Sequence, residues 1–339
     1  MKSIEQNECF GIGTNGEMKN ISFGLFAAEE IVSASGTTIP TDGLIEIISL
    51  NEDGTATVKT DLPLGSYYVQ ELATDSHYKL SDTKYPVTFA YAGQDTAVVK
   101  IAANDGKAVE NDLIYGSVSG KKVNEDGNAL GGALIGLFRT DNGEFTKENA
   151  LMTTTSAEDG SFSFADIPYS TWYVREIEQP TGFVLDDTIF PVTISTDGQV
   201  VEIEIVNEYV RGNIHLTKVD SEYPDNKLTG ATFEVYKDSN DNGKLDDGDE
   251  LLGTLTEKEV GEYGMNDLFY GRYFVKETKA PEGFVLDTGV YEVMLDTDGK
   301  TYEVENKAGV GFINEAMRGN LKIVNTANGT ATKRLRAYR

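Results

Sequence analysis

Cysteine occurs once in this sequence, as Cys9, and histidine twice, as His77 and His215. One thiol excludes a disulfide framework and a cysteine-rich zinc site. Two imidazoles leave no multi-histidine metal site and little His-based acid–base chemistry. Basic side chains are also scarce: 29 Lys and Arg against 56 Asp and Glu give a net charge of −27. A surface of that sign repels phosphate, so neither nucleic acid nor an anionic membrane is an expected partner. No apolar run approaches the ~20 residues of a membrane helix. The start, Met1-Lys2-Ser3-Ile4-Glu5-Gln6, has no apolar segment of the signal-peptide kind. The end, Arg334-Leu335-Arg336-Ala337-Tyr338-Arg339, carries no sorting signal. The chain therefore reads as cytosolic or as an internal piece of a longer protein.

What is abundant is Gly, at 35, together with 17 Tyr and 15 Phe. That balance suits short strands and tight turns. Self-comparison then exposes a repeat. Asp61-Leu62-Pro63-Leu64-Gly65-Ser66-Tyr67-Tyr68-Val69-Gln70-Glu71 matches Asp166-Ile167-Pro168-Tyr169-Ser170-Thr171-Trp172-Tyr173-Val174-Arg175-Glu176. Both match Asp267-Leu268-Phe269-Tyr270-Gly271-Arg272-Tyr273-Phe274-Val275-Lys276-Glu277. The closing Glu residues stand 105 and 101 positions apart. That period is too long for a solenoid and fits a tandem array of domains. Asn111-Asp112, Asn207-Glu208 and Asn314-Glu315 close the units, and Gly116, Gly212 and Gly319 follow shortly after. The expected domains are residues 1–115, 116–211 and 212–318, with 319–339 the truncated start of a fourth or a tail. The joins are short and not rich in Pro or Ser, which predicts a fairly fixed, rod-like row. Strand-length runs alternate with turns such as Asp126-Gly127, Asp159-Gly160 and Asp298-Gly299. The fold class is all-β: three tandem antiparallel β-sandwiches. Trp172 is read as core, and Leu62-Pro63-Leu64-Gly65-Ser66 as a turn.

Strand parity places polar residues on inward faces. Lys218 shares a face with Ile214 and Leu216, Asn207 with Ile203 and Ile205, and Glu176 with Trp172 and Val174. Glu277 follows Tyr273 and Val275, and Asn314 follows Val310 and Phe312. Taken singly, such residues more often sit at strand ends and reach water, or form a buried ion pair. Their coincidence across two units favours a covalent reading. Burial lowers a Lys pKa and raises a Glu pKa. A neutral amine is a nucleophile, and a protonated Glu can polarise an Asn carbonyl and shuttle protons. The product is a Lys–Asn isopeptide bond, with loss of ammonia.

The second and third units resemble the collagen-adhesin B-type (Cna B-type, SpaA-like, prealbumin-like) domains of Gram-positive surface proteins and pilins. The resemblance rests on Leu216-Thr217-Lys218-Val219-Asp220 and on Leu228-Thr229-Gly230-Ala231-Thr232-Phe233-Glu234-Val235-Tyr236. It rests also on Glu277-Thr278-Lys279-Ala280-Pro281-Glu282-Gly283-Phe284, on Phe312-Ile313-Asn314, and on the looser Glu176-Ile177-Glu178-Gln179-Pro180-Thr181-Gly182-Phe183. It implies a prealbumin-like sandwich with a self-formed bond assisted by an acid. Carried over by position, the crosslinking pairs are Lys122 with Asn207 and Lys218 with Asn314, with Glu176 and Glu277 as catalytic acids. Asn306 is a rival to Asn314, which is preferred for its spacing to the following Gly. The first unit has Glu71 and Asn111, but counting back from Asn15-Gly16 puts the Lys position near Gly11. Lys2 and Lys19 are then out of register, so Glu71 and Asn111 are expected to be remnants with no bond or a poorly formed one.

Residues 238–249 fit a 12-residue calcium loop, with Asp238, Asn240, Asn242, Lys244 (through its carbonyl), Asp246 and Asp249 as ligands and Gly243 at the sharp turn. An Asp at the last position in place of Glu weakens binding; the alternative is a solvated hairpin loop. No cofactor is required; Ca²⁺ in the 238–249 loop is the one ion the sequence suggests.

The first functional expectation is a structural stalk segment of a bacterial surface adhesin or pilin, extracellular and cell-wall-associated, monomeric, and without membrane contact by this segment. The alternative is an adhesin module that recognises a host protein or glycan, the ligand being unknown. An enzyme acting on an external substrate is disfavoured, because no Ser–His or Cys–His constellation exists.

Overall fold

The structure, a computed structural model, describes residues 1–33, 35–96, 99, 101–321 and 335–336. Among these there is no α-helix, only strands and two short 3-10 turns, Glu17–Asn20 and Ala103–Gly106. The chain divides into two compact units. One comprises Met1–Gln179 and Asp186–Val206, the other Pro180–Leu185 and Asn207–Arg339.

The first unit holds two sandwiches. In the first, strands β1 (Lys2–Ile4), β2 (Ser22–Ala27), β3 (Ile31–Val32), β4 (Thr38–Ile39), β5 (Leu44–Ser49), β6 (Gly65–Ala73), β7 (Tyr85–Phe89) and β8 (Val109–Asn111) follow in order. An antiparallel sheet β5-β2-β6-β7 faces the parallel pair β1-β8. In the second, β9 (Tyr115–Asn124), β10 (Leu134–Phe138), β11 (Met152–Thr155), β12 (Ser161–Pro168), β13 (Ser170–Glu178), β14 (Phe190–Ile194) and β15 (Gln199–Asn207) form sheets β11-β10-β13-β14 and β12-β9-β15.

These two sandwiches share one core. Phe10, Ile12, Tyr78 and Leu113 of the first are buried in the same cluster as Ile135, Val174, Val192 and Ile205 of the second. Residues 5–20, between β1 and β2, form a hook over β13. The Phe10 ring stands edge-on to Trp172 at 4.8 Å. Arg139 donates to the Phe10 and Cys9 carbonyls at 2.8 and 3.1 Å. The expected boundary near residue 115 thus lies inside one compact unit, because the hook carries apolar side chains across it.

The second unit contains β16 (Arg211–Asp220), β17 (Thr232–Lys237), β18 (Glu250–Thr254), β19 (Thr256–Glu259), β20 (Glu262–Phe269), β21 (Gly271–Lys279), β22 (Val290–Leu295), β23 (Thr301–Glu303) and β24 (Phe312–Asn314). Its sheets are β18-β17-β21-β22 and β19-β20-β16-β23, and β24 also pairs with β16. Ile214, Leu216, Phe233, Val275, Leu295 and Phe312 fill the space between them. Of residues 319–339, only the antiparallel pair β25 (Asn320–Leu321) and β26 (Leu335–Arg336) lies with Gly319 among the described residues. The expectation of a fourth unit or tail falls otherwise outside them.

The repeated Asp-Leu-Pro-type motif is a tight turn into the middle strand β6, β13 or β21, locked by that strand's aromatic residue. Tyr67 donates to the Pro63 carbonyl at 2.6 Å, Trp172 to Pro168 at 2.8 Å and Tyr273 to Phe269 at 2.7 Å. Each ring thereby buries its apolar body and satisfies its one polar hydrogen. Replacing Trp172 by Ala removes both this lock and the seat for Phe10. The expected cost is about 3–5 kcal/mol of stability, read as a lower denaturation midpoint of the first unit in urea.

Candidate functional site

The sheets are antiparallel except where the two ends of a sandwich meet. There β1 runs parallel to β8, and β16 runs parallel to β23 and β24. Lys2 lies opposite Val109, two residues before Asn111, and Lys218 lies opposite Phe312, two residues before Asn314. A two-residue step keeps both side chains on one face. That face is the interior, and the acid arrives from the middle strand of the opposite sheet, β6 or β21.

In the first sandwich all three residues are buried: Lys2 is 2%, Glu71 3% and Asn111 2% exposed. Lys2 Nζ donates to Asn111 Oδ1 at 2.6 Å and to the Val109 carbonyl at 3.1 Å, and lies 4.0 Å from Glu71 Oε1. Asn111 Nδ2 donates to Glu71 Oε1 and Oε2 at 2.9 and 3.0 Å. This corrects the expected register. Lys2, not a position near Gly11, meets Glu71 and Asn111. The count from Asn15-Gly16 failed because residues 5–20 are the hook, not a strand and its following turn.

The third sandwich repeats the arrangement. Lys218 Nζ donates to the Phe312 carbonyl at 3.0 Å and lies 3.8 Å from Glu277 Oε1. Asn314 Nδ2 donates to Glu277 Oε2 at 2.9 Å. Asn314 Oδ1 and Glu277 Oε1 are buried without a hydrogen-bond partner, so here the amine does not hydrogen-bond the amide as it does in the first sandwich. Asn306 sits apart. Its Nδ2 donates to Asp287 Oδ2 at 2.6 Å, and its Oδ1 accepts from the Ile313 N–H at 2.7 Å, so it braces the loop between β23 and β24. In the second sandwich Lys122 Nζ donates to the Ile205 carbonyl at 3.3 Å and lies 3.7 Å from Glu176 Oε1. Asn207 is the last residue of β15 and is buried.

Burial pushes Lys2 and Lys218 down to about 8, against the opposing pull of Glu71 and Glu277. Lys122 is lowered for the same reason, with Glu176 opposing. Near neutral pH a usable fraction of the Lys2 and Lys218 amines is therefore the nucleophilic free base.

One sequence signal would have found Lys2. Each lysine's backbone N–H donates to a glycine with positive φ: Lys2 to Gly54 at 2.8 Å, Lys122 to Gly160 at 2.7 Å and Lys218 to Gly261 at 2.7 Å. A Cβ on Gly54 or Gly160 would stand 2.3 Å from the lysine carbonyl oxygen, so glycine is required. The turns ending at residues 54, 160 and 261 keep the domain spacing, and they point to the lysine strand.

The 238–249 loop is closed on itself. Asp238 accepts from Asn242 and Gly243 N–H, Asn242 from Lys244, Asp246 from Gly248, and Asp249 from Ser239 and Asp246. Asn240 and Asn242 donate side-chain amides to Asp246, and Arg272 Nε approaches Asp238 at 3.4 Å. Among the described residues, no group of three or more His, Cys, Asp or Glu side chains is placed to hold a metal ion. No helix among them is long and apolar enough to cross a membrane.

Three stretches, residues 11–107, 116–209 and 212–308, match the SpaA family of prealbumin-like fold domains. Among solved structures, the Bacillus anthracis TIE protein is similar at 21% identity and a TM-score of 0.60, over 93% of this chain and 50% of that one. The present chain thus spans half the length of that protein. A streptococcal ancillary pilin aligns at 19% identity with a TM-score of 0.29, covering 93% of this chain and 97% of its own. The minor pilin of Streptococcus agalactiae aligns at 18% identity with a TM-score of 0.26, covering 62% and 99%. No curated protein matches.

The buried amines give a pH signature when no bond can form. In an Asn314→Ala chain Lys218 stays an amine. Its folded pKa, about 8, lies below the ordinary 10.5. Between those values the unfolded chain binds more protons, so the stability of the third sandwich should rise with pH from about 8 to 10.5. Chemical denaturation across that range measures the slope.

Proposed function

The chain belongs to the SpaA family of prealbumin-like fold domains, and from that premise we propose that it is a structural stalk segment of a Gram-positive surface adhesin or pilin. It works outside the cell, associated with the wall. Each sandwich is stapled by an isopeptide bond: Lys2 to Asn111, Lys122 to Asn207 and Lys218 to Asn314. The observation that carries this reading is the buried contact of amine, amide and carboxyl in the first sandwich, where Lys2 Nζ and Asn111 Oδ1 are 2.6 Å apart.

The chemistry balances without a co-reactant. The neutral amine's lone pair forms the Nζ–Cγ bond and the Cγ–Nδ2 bond breaks. One proton passes from Nζ to Nδ2 through the Glu carboxyl, and ammonia leaves. Holding the groups in contact supplies the proximity that makes an amide a usable acyl donor, and Glu71, Glu176 or Glu277 serves as general acid–base. With the three bonds in place, tension from Met1 runs through Lys2 to Asn111, along residues 111–122, through Lys122 to Asn207, along 207–218, and out through Asn314. The sandwich interiors lie off that path, so a pull does not unzip them. A protein with one thiol, Cys9, obtains in this way what others obtain from disulfides.

Intact-mass spectrometry tests the proposal directly. The chain should weigh less than its sequence by three molecules of ammonia, and Glu71→Ala, Glu176→Ala or Glu277→Ala should each restore one. A mass equal to that of the sequence would refute the crosslinks. Loss of one bond, which closes a loop of ~100 residues, should cost about 4–5 kcal/mol if its effect is on the unfolded chain.

We propose also that the 238–249 loop takes Ca²⁺ weakly. Its carboxylates alone do not gather, so binding would draw on Asn240, Asn242 and the Lys244 carbonyl as well. Calcium added to chelated protein should raise the melting temperature of the third sandwich, and Asp238→Ala should abolish the rise. An unchanged melting temperature at millimolar calcium would rule the site out.

A further inference from the structure

Every acid is met by a backbone N–H ten residues further on. Ser81 donates to Glu71 Oε2 at 2.9 Å, Asp186 to Glu176 Oε2 at 2.9 Å and Asp287 to Glu277 Oε2 at 2.8 Å. The same residue's side chain then accepts from the N–H two positions on. Ser81 Oγ accepts from Thr83 at 3.3 Å, Asp186 Oδ1 from Thr188 at 2.9 Å and Asp287 Oδ1 from Gly289 at 2.7 Å. These are side-chain-capped turns, and they fix the direction of the preceding N–H.

The base of this ten-residue arm is tied to the strand that carries the Asn. In the first sandwich Lys79 donates to the Asp112 carbonyl at 3.0 Å, and Ile114 donates to His77 at 2.8 Å. In the third, Val285 donates to Glu315 at 2.9 Å and Met317 to Gly283 at 2.8 Å. One element therefore spans both partners of the amine, with its tip on the acid and its base beside the Asn.

We propose that this arm is the positioning element of crosslinking and that Ser81, Asp186 and Asp287 are its positioning residues, acting through the acid. The inference rests on the isopeptide reading. Each arm N–H occupies Oε2, while each amine lies nearest Oε1, at 4.0, 3.7 and 3.8 Å in the three sandwiches. An oxygen that accepts an N–H hydrogen bond is a poor seat for a proton along that direction. Oε1 is thus the oxygen turned to the amine, and the departing amide nitrogen, which donates to Oε2 of Glu277 and to both oxygens of Glu71, lies within reach of the same carboxyl. Without the arm the carboxyl can rotate, and its two oxygens exchange roles. The arm also accounts for the most specific stretch of the sequence. Ala280-Pro281-Glu282-Gly283-Phe284 builds the return that brings the Asp287 N–H back to Glu277. Asp186, Asp287 and Ser81 occupy equivalent places because each can cap the turn, although Ser has no charge.

The test uses the full chain made by cell-free synthesis, with the occupancy of each linkage followed over time and pH by peptide mass spectrometry. Asp287→Ala should slow the third linkage on the order of ten-fold or more, compared at alkaline pH where the amine is free in every variant, because losing the Asp287 charge also removes one of the carboxylates that hold the Lys218 pKa up. The other two linkages are internal controls and should be unchanged. Asp287→Ser, which copies the cap of the first sandwich without the charge, should restore the rate. Ser81→Ala in the exposed first arm gives a second reading if Asp287→Ala does not fold. If the unsubstituted chain crosslinks and both Ala variants crosslink at its rate, the positioning role is wrong while the isopeptide reading stands. If the unsubstituted chain loses no ammonia, both fall.

Discussion

A lysine amine without access to water is the constraint around which each sandwich is arranged. Removing a charged ammonium from water is expensive, and a single carboxylate partner seldom offsets the loss. The cluster answers with a lowered amine pKa at Lys2, Lys122 and Lys218 and with carbonyl acceptors from Val109, Ile205 and Phe312. An ion pair alone would be a weak reason to keep such a group in an apolar core. A bond that removes the charge altogether is a better one. The parallel pairing of β1 with β8 and of β16 with β23 and β24 sets the two ends of a sandwich side by side, with the lysine and asparagine on one inward face.

The first sandwich meets the same constraint with less strand. Lys2 lies in a three-residue strand, whereas Lys122 and Lys218 lie in ten-residue strands that cross a sheet. The residues released from that sheet become the hook, whose Phe10 and Ile12 join the core of the second sandwich. The first sandwich keeps a core of its own, with Phe23, Leu25, Ile31, Ile48, Tyr67 and Val109 buried together, beside an open cavity of about 800 Å³ that Val69 and Val87 also line.

Much of this was legible beforehand. Alternation in Trp172-Tyr173-Val174-Arg175-Glu176 and in Ile214-His215-Leu216-Thr217-Lys218 placed Glu176 and Lys218 on inward faces, and both are buried. Parity is local, so it survives without any knowledge of partners. The choice between Asn306 and Asn314 was harder, since both follow apolar strands. The structure separates them by what they touch: Asn306 holds Asp287 and the Ile313 backbone, and Asn314 reaches Glu277. Lys2 was illegible by counting, because an insertion between strand and turn shifts every later position and leaves no mark in the local pattern.

The sequence by itself determined the repeat, the all-β class, the inward parity of the second and third lysines and acids, and the poverty in Cys and His that excludes a disulfide framework. These follow from periodicity and composition, which need only near neighbours along the chain. Only the tertiary structure decided that Lys2 belongs with Glu71 and Asn111, that the first two sandwiches share a core, and that residue 81, 186 or 287 returns to hold the acid. Each of those joins residues far apart in sequence or across an irregular loop. There, contact depends on where the whole sandwich places two backbones, not on the spacing of side chains along one.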